Sequence, residues 1–260
     1  TAEAVGKSLK MRSLKAQVME VGCIGLCYAE PIMTLRRGGG QTVFYGKVSP
    51  EMADEIIAKH LDKGNAVADY AIGVSGGTVE GISELFSTPA LRHQVRRVLG
   101  NCGLIDPENI MHYIARGGYS GLYKALGGPK ADVIEAMKMS GLRGRGGAGF
   151  PTWKKWSFCK DVVSETKYII CNADEGDPGA FMNRSLLEGD PHSVLEGMLI
   201  AGYSIGAREG YVYCRAEYPL ALERLKNAIS RAEKEGLAGK DIMGSGFSFN
   251  IRIKEGAGAF

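Results

Sequence analysis

KYIICNADEGDPG (Lys167–Gly179) decides the fold class. Its first six residues, Lys167–Asn172, form a short apolar run containing two isoleucines, which reads as a strand cut off by a polar, proline-broken turn. Working outward, the pattern repeats. Pro191–Gly206 predicts a helix, Gly210–Ala216 a strand, Pro219–Glu235 a helix and Phe247–Lys254 a strand. Alternation of this kind predicts a parallel sheet with covering helices, an α/β fold. Ligands on open parallel sheets bind at the carboxyl ends of the strands. Two of those ends carry unusual loops, Asn172–Gly179 and Glu255–Phe260.

Upstream, Pro129–Ser140 predicts a helix, followed by a loop with five glycines between Gly141 and Gly149. Nearer the start, an apolar run at Val21–Cys27 precedes Pro31–Leu35 and Thr42–Gly46, which flank the glycine turn Arg36–Gly40 and predict a β-hairpin. Ser49-Pro50 then opens a helix with a cap and an N1 proline, places Ile56, Ile57 and Leu61 on one face, and stops at Gly64. Residues 1–75 thus read as the later part of a small α/β domain. Between 76 and 128 the pattern predicts a helical connector. Its pieces are opened by Thr88-Pro89 before Leu91, Val95 and Val98, and by Asp106-Pro107 before Ile110 and Ile114. Arg92, His93, Arg96 and Arg97 read as a solvated face. Residues 129–260 make up the third division.

The 260 residues are 45% apolar with a net charge of +3, so one substantial core is feasible and no nucleic-acid-binding surface or polybasic membrane anchor is indicated. No apolar stretch is long enough to span a membrane and no secretory signal opens the chain, so a cytoplasmic location without direct membrane insertion is the expectation. The chain starts at Thr1 and stops at Phe260 beside a glycine-rich run, and it reads as truncated at both ends. Glycine, at 37 residues, is about twice as frequent as usual. The glycines cluster where backbone has to approach a ligand.

Gly144-Arg145-Gly146-Gly147-Ala148-Gly149 fits the pattern G-x-G-x-x-G, but it follows a predicted helix and is expected to precede a further loop, unlike the usual dinucleotide fingerprint. Consecutive glycines still let backbone N–H groups converge on an anion. Arg143, Arg145, Lys154 and Lys155 add positive charge. Phe150, Trp153, Trp156 and Phe158 offer flat rings of the kind that stack on nicotinamide, adenine or flavin, with core packing the alternative, above all for Trp156. The loop Asn172–Gly179 brings together Asp174, Glu175 and Asp177. It is too short for a calcium loop of about twelve residues. Its carboxylates suit ribose or ribityl hydroxyls, and the Asn172 amide suits a heterocycle edge.

Cys23 and Cys27 are a close pair beside glycines. A [2Fe–2S] cluster takes four thiolates, so the pair is at most half of a ligand set, with the other half expected upstream of Thr1. Cys171 and Cys214 lie in predicted buried strands, where cysteine packs as a small apolar residue.

Ser140–Lys155 (SGLRGRGGAGFPTWKK), Cys171–Asp190 (CNADEGDPGAFMNRSLLEGD) and Ala201–Ala221 (AGYSIGAREGYVYCRAEYPLA) resemble the NADH-oxidising flavoprotein subunit of the complex I family. The likeness runs from Asn101 to Phe260. Cys23–Gly64 resembles the end of a thioredoxin-like [2Fe–2S] domain fused ahead of that flavoprotein in the diaphorase subunits of electron-bifurcating hydrogenases, NAD-reducing hydrogenases and NAD-linked formate dehydrogenases.

The resemblance implies a partial thioredoxin-like domain, a helical connector and a Rossmann-like FMN/NADH-binding domain. It implies that Gly144, Arg145, Gly146 and Lys155 hold the FMN phosphate, that Asn172, Asp174 and Glu175 bind the flavin ring and ribityl chain, and that Phe260 joins that site. Phe150 and Phe158 would line the NADH cleft. Asp177 stands where many relatives have a glutamate facing the nicotinamide nucleotide. Trp153 stands in place of a common glycine, and Asn183 in place of a common aspartate. The implied activity is hydride transfer from NADH to FMN, then single-electron transfer to iron–sulfur clusters, with no side chain acting as acid or base. The implied cofactors are FMN, NAD(H) and a [2Fe–2S] cluster, with a [4Fe–4S] cluster expected in a C-terminal part beyond Phe260. The implied partners are a thioredoxin-like [2Fe–2S] subunit, a large catalytic subunit and ferredoxin. Competing expectations are the NADH-binding subunit of respiratory complex I, a membrane-linked ferredoxin:NAD oxidoreductase subunit, and an inactive assembly module that binds no flavin.

Overall fold

The computed structural model describes residues 1–38 and 40–258. The chain divides into two compact units, Thr1–Glu20 with Ile24–Gly100, and Val21–Cys23 with the residues from Asn101 onward. The stretch 76–128, expected as a separate connector, is shared between them.

In the first unit, helix α1 (Ala2–Met11) precedes strands β1 (Met33–Arg36) and β2 (Thr42–Tyr45). They pair antiparallel as the expected hairpin, Met33 opposite Tyr45 and Arg36 opposite Thr42. Gly39 of its turn lies outside the described residues. Helix α2 (Pro50–Ile56) starts as its sequence dictates, with the Ser49 hydroxyl accepting from the Met52 N–H at 3.2 Å and proline in the first turn. It continues as a wider turn over Ile57–Asp62 and stops at Gly64, whose φ of +85° suits glycine. Ile56 and Ile57 are fully buried and Leu61 packs beside them. Strand β3 (Ala71–Ser75) completes a β1-β2-β3 sheet.

The segment after Thr88 departs from expectation. Residues 89–98 form turns and not a helix. Only Leu91 is buried, while Val95 and Val98 are 78% and 60% exposed, so the helical spacing has no surface to pack against. Helix α3 (Ile110–Ala115) is capped by Asn109, whose side chain accepts from the Met111 N–H at 3.1 Å. It begins later than Asp106-Pro107 suggested, because the Asp106 carboxylate turns back onto the Glu108 N–H at 2.9 Å.

Helices α4 (Ser120–Leu126) and α5 (Lys130–Ser140) follow, then the glycine loop, then helix α6 (Thr152–Asp161). Strands β4 (Tyr168–Ala173), β5 (Glu209–Arg215) and β6 (Asn250–Gly256) form a parallel sheet in the order β4-β5-β6. Helices α7 (Met182–Gly189) and α8 (Pro191–Ile205) connect β4 to β5, and α9 (Pro219–Lys234) connects β5 to β6. The core lies between the sheet and α8 and α9, centred on Leu195, Leu199, Val212, Cys214, Leu225 and Phe249. Phe249 wedges between α8 and β5 where only glycines leave room: a Cβ on Gly210 would come within 2.7 Å of its ring, and one on Gly202 closer still.

One face of the sheet is covered by helices as expected, and its other face is left open among the described residues. Tyr168, Ile170 and Tyr213 alternate with core residues and are 50%, 62% and 38% exposed. Cys171, expected to be buried like Cys214, is only half-buried on this edge strand.

Candidate functional site

Connectivity brings the predicted site loops to one end of the parallel sheet. Helix α6 leads into β4 through a short turn, where the Lys167 ammonium donates to the Lys160 carbonyl at 2.8 Å and to the α8 terminus at Ile205 O at 3.2 Å. The carboxyl end of α6 therefore meets the start of β4, and the amino end of α6, with the glycine loop, lies toward the end of β4 where the acidic loop begins. The same reasoning places the amino ends of α8 and α9 there. This corrects one expectation, since the glycine loop runs directly into a helix. Helix N-termini present N–H groups and a positive partial charge to anions.

The glycine loop is closed at its base. The Gly144 N–H donates to the Phe150 carbonyl at 2.9 Å, the Thr152 N–H to the Leu142 carbonyl at 3.0 Å, and the Arg143 guanidinium to the Gly149 carbonyl at 2.6 Å. Arg143 thus staples the loop. Gly144, Arg145 and Gly146 are exposed above the staple, and Lys155 is exposed in the first turn of α6. A Cβ on Gly146 or Gly147 would meet nothing within 4 Å, and Gly147 and Gly149 have φ of +104° and +62°. The loop is an open backbone cradle beside cations that form no ion pair among the described residues.

Phe150 and Phe158, eight positions apart in sequence, are brought together with ring centroids 6.5 Å apart, and the Lys154 ammonium lies 5.9 Å from the Phe158 ring. Both rings are exposed. Trp156 instead packs against the core, and Trp153 lies beneath the Lys138 ammonium at 5.6 Å.

In the acidic loop, the Asn172 side-chain carbonyl accepts from the Asp174 N–H at 3.0 Å. Asp174 Oδ1 is buried and has no hydrogen-bond partner among the described residues. Asp177 is exposed. Glu175 already has partners within the protein. It is 9% exposed, and its carboxylate accepts from the N–H groups of Met182, Asn183 and Arg184 at 3.0, 3.0 and 3.3 Å. It therefore caps the amino end of α7, which charge and the helix dipole both favour. Its backbone carbonyl accepts from the Arg215 guanidinium and from the Tyr218 hydroxyl, the latter at 3.2 Å. Arg215 and Tyr218, like Glu217 beside them, escaped sequence reasoning. The signal for Arg215 was its position at the end of β5. Phe260 lies outside the described residues.

Behind the loops, Glu196 of α8 is buried and accepts from the Tyr113 hydroxyl at 2.6 Å and from the N–H groups of Tyr119 and Leu122 at 2.8 and 3.0 Å. His192 meets the Tyr119 hydroxyl at 2.9 Å through Nδ1 and leaves Nε2 buried without a partner among the described residues. Burial pushes its pKa down to about 4. Burial, followed by the neighbouring Cys214, pushes the Cys171 thiol up to about 11. A thiol shifted this way does not fit a reactive thiolate.

Residues 137–260 match the model of one family, described as the Nuo51 FMN-binding domain. This part of the chain belongs to the Nuo51 FMN-binding domain family. The NADP-reducing hydrogenase subunit HndC of Solidesulfovibrio fructosivorans is 57% identical over 174 residues, which are 67% of this chain and 35% of that protein. The HoxS subunit alpha of the NAD-reducing hydrogenase of Cupriavidus necator is 36% identical over 255 residues, 94% of this chain and 38% of that protein. An NADH-quinone oxidoreductase subunit of Escherichia coli is 45% identical over 157 residues, 60% of this chain and 35% of that protein. The chain thus spans little more than a third of these relatives. A crystal structure of NAD+-reducing [NiFe]-hydrogenase in the H2-reduced state shares the fold, with a TM-score of 0.50 at 22% identity, covering 100% of this chain and 41% of that one.

Two features of this Nuo51 domain fit FMN. Asp174 Oδ1 is a buried acceptor with no donor among the described residues, and the glycine cradle is open above its backbone beside cations that form no ion pair among them. Iron is different. Among the described residues, no group of three or more His, Cys, Asp or Glu side chains is arranged to hold a metal ion. No helix among them is long and apolar enough to cross a membrane.

Proposed function

We propose that this chain carries the FMN and NADH sites of an NADH:acceptor oxidoreductase subunit. The observation that carries this reading is the buried, unpartnered Asp174 oxygen at the sheet end that also bears the open glycine cradle. Gly144, Arg145, Gly146 and Lys155 would hold the FMN phosphate through N–H groups, the α6 amino end and two cations. Asn172 and Asp174 would engage the flavin ring and ribityl chain, with Glu175 acting through the α7 cap. Phe150 and Phe158 would present an apolar wall to NADH, and Asp177 would lie at its nucleotide. Bound FMN would supply the redox chemistry, taking hydride from NADH and releasing electrons one at a time.

The setting we favour is a hydrogenase- or formate dehydrogenase-type complex in the cytoplasm, with iron–sulfur subunits as partners. In support, the HoxS alignment extends over 94% of this chain, whereas that to the E. coli NADH-quinone oxidoreductase covers 60%. Cys23 and Cys27 would supply half of a [2Fe–2S] ligand set. Iron and sulfide reconstitution of this chain should then yield no stoichiometric centre by EPR, and a full one would sink the half-site assignment. The flavin reading is tested by incubating the chain with FMN followed by gel filtration. A yellow protein peak with about one FMN per chain supports it, and a colourless peak favours an assembly module.

A further inference from the structure

Residue 175 is held from two sides. Its carboxylate is committed to α7, and both lone pairs of its backbone carbonyl are met by donors from the end of β5, Arg215 and Tyr218. Asp174 sits immediately before it and is tied on its other flank to Asn172. We propose that Arg215 is a positioning residue of the flavin site, fixing the Glu175 carbonyl so that Asp174 keeps its unpaired oxygen directed to a ligand and not to the protein. The inference rests on the flavin reading above.

Arg215 is itself held in place. Its guanidinium pairs with Glu217 at 3.3 Å and lies 5.3 Å from the centre of the Tyr218 ring. Glu217 also accepts from the Gly258 N–H at 3.2 Å, and a Cβ at Gly258 would collide with the guanidinium. The chain leaving β6 is therefore laid across Arg215, and one side chain connects the exits of β4, β5 and β6, where a ligand on a parallel sheet binds. A planar fork suits this task better than an ammonium, because it serves a carbonyl and a carboxylate at once. Its positive charge lies beside the acidic loop and would favour a more negative, reduced flavin.

The test compares the full chain with Arg215→Gln, Arg215→Lys and Tyr218→Phe by FMN fluorescence titration, by the midpoint potential of bound FMN and by urea unfolding. Arg215→Gln should weaken FMN binding tenfold or more and lower the potential, a tenfold loss of preference for reduced flavin corresponding to about 30 mV. Arg215→Lys should restore the potential but only part of the affinity. Tyr218→Phe, which removes a neutral donor, should weaken binding about threefold without moving the potential. Wild-type affinity in both Tyr218→Phe and Arg215→Lys overturns the proposal, and these two carry the test if Arg215→Gln does not fold. A potential unchanged in Arg215→Gln, with affinity reduced only in step with stability, overturns it in favour of a purely structural role. A wild-type chain that takes up no FMN overturns the flavin reading first and this inference with it.

Discussion

Glu175→Ala separates two roles for one carboxylate. The side chain is buried and accepts three N–H bonds from the first turn of α7, at 3.0, 3.0 and 3.3 Å. A hydrogen bond to a charged group contributes about 1.5–3 kcal/mol, yet Met182 is exposed and water can replace part of what is lost. Substituting a cap residue typically costs about 0.5–2 kcal/mol, and the lost charge at a helix amino end adds up to about 1 kcal/mol. We therefore expect Glu175→Ala to destabilise the flavin-free chain by about 3 kcal/mol. Glu175→Gln, which keeps an acceptor but not the charge, should cost about 1 kcal/mol. For a unit of this size the alanine variant should melt about 6–12 °C lower. Urea unfolding followed by tryptophan fluorescence is suited to the measurement, because the chain's two tryptophans, Trp153 and Trp156, both lie on α6 in the same compact unit. If Glu175→Ala leaves the unfolding free energy within about 0.5 kcal/mol of wild type and abolishes FMN binding, the capping role is refuted. The carboxylate would then be a direct ligand.

Replacing both Arg145 and Lys155 by alanine should weaken FMN binding by several kcal/mol, at about 1.5–3 kcal/mol per charged contact, and undiminished flavin retention on gel filtration would remove the cradle assignment. If the acidic loop lies at the nucleotide through Asp177 as proposed, the flavin-loaded subunit should prefer NADH over NADPH by about tenfold or more, since a 2′-phosphate about 6 Å from a carboxylate is repelled by at least about 1 kcal/mol. HndC is named for NADP and HoxS for NAD, so the charge of this chain's own loop carries that expectation, and equal kcat/KM values for the two nucleotides would defeat it. For His192, the folded pKa of about 4 lies below the ordinary value of 6.5, so between those pH values the unfolded chain binds more proton. Its contribution, about 3 kcal/mol at most, is complete above pH about 6.5 and is lost as pH falls toward 4. Burial raises the Asp190 pKa, an effect of opposite sign that offsets the loss at the acid end of the window. His192→Gln should flatten the urea-derived stability profile over this range, and an equally steep profile in the variant would assign the slope elsewhere.

Local sequence was sufficient for much of the architecture, because the signals involved act within a few residues. Ser49-Pro50 opens α2 as its cap chemistry requires, the hairpin forms across its glycine turn, and the apolar runs at 167–172, 210–216 and 247–254 all become strands. Alternation of strands and helices also implied a parallel sheet, and its strand ends are where the candidate site is proposed.

What escaped depended on contacts made only after folding. Val95 and Val98 have helical spacing but no partner surface, so that segment stays in turns. Cys171 sits in an apolar run, yet it lies on an edge strand of a sheet covered on one face. Glu175 has the sequence signature of a ligand, but the N–H groups of α7, seven to nine residues on, come within its reach. Arg215 and Tyr218 approach its carbonyl from forty or more residues away, a distance that only the parallel pairing of β4 with β5 closes. Residue type names which groups can bind an anion or a flavin. Tertiary structure decides which are already engaged, because a buried carboxylate takes the nearest donors the fold supplies.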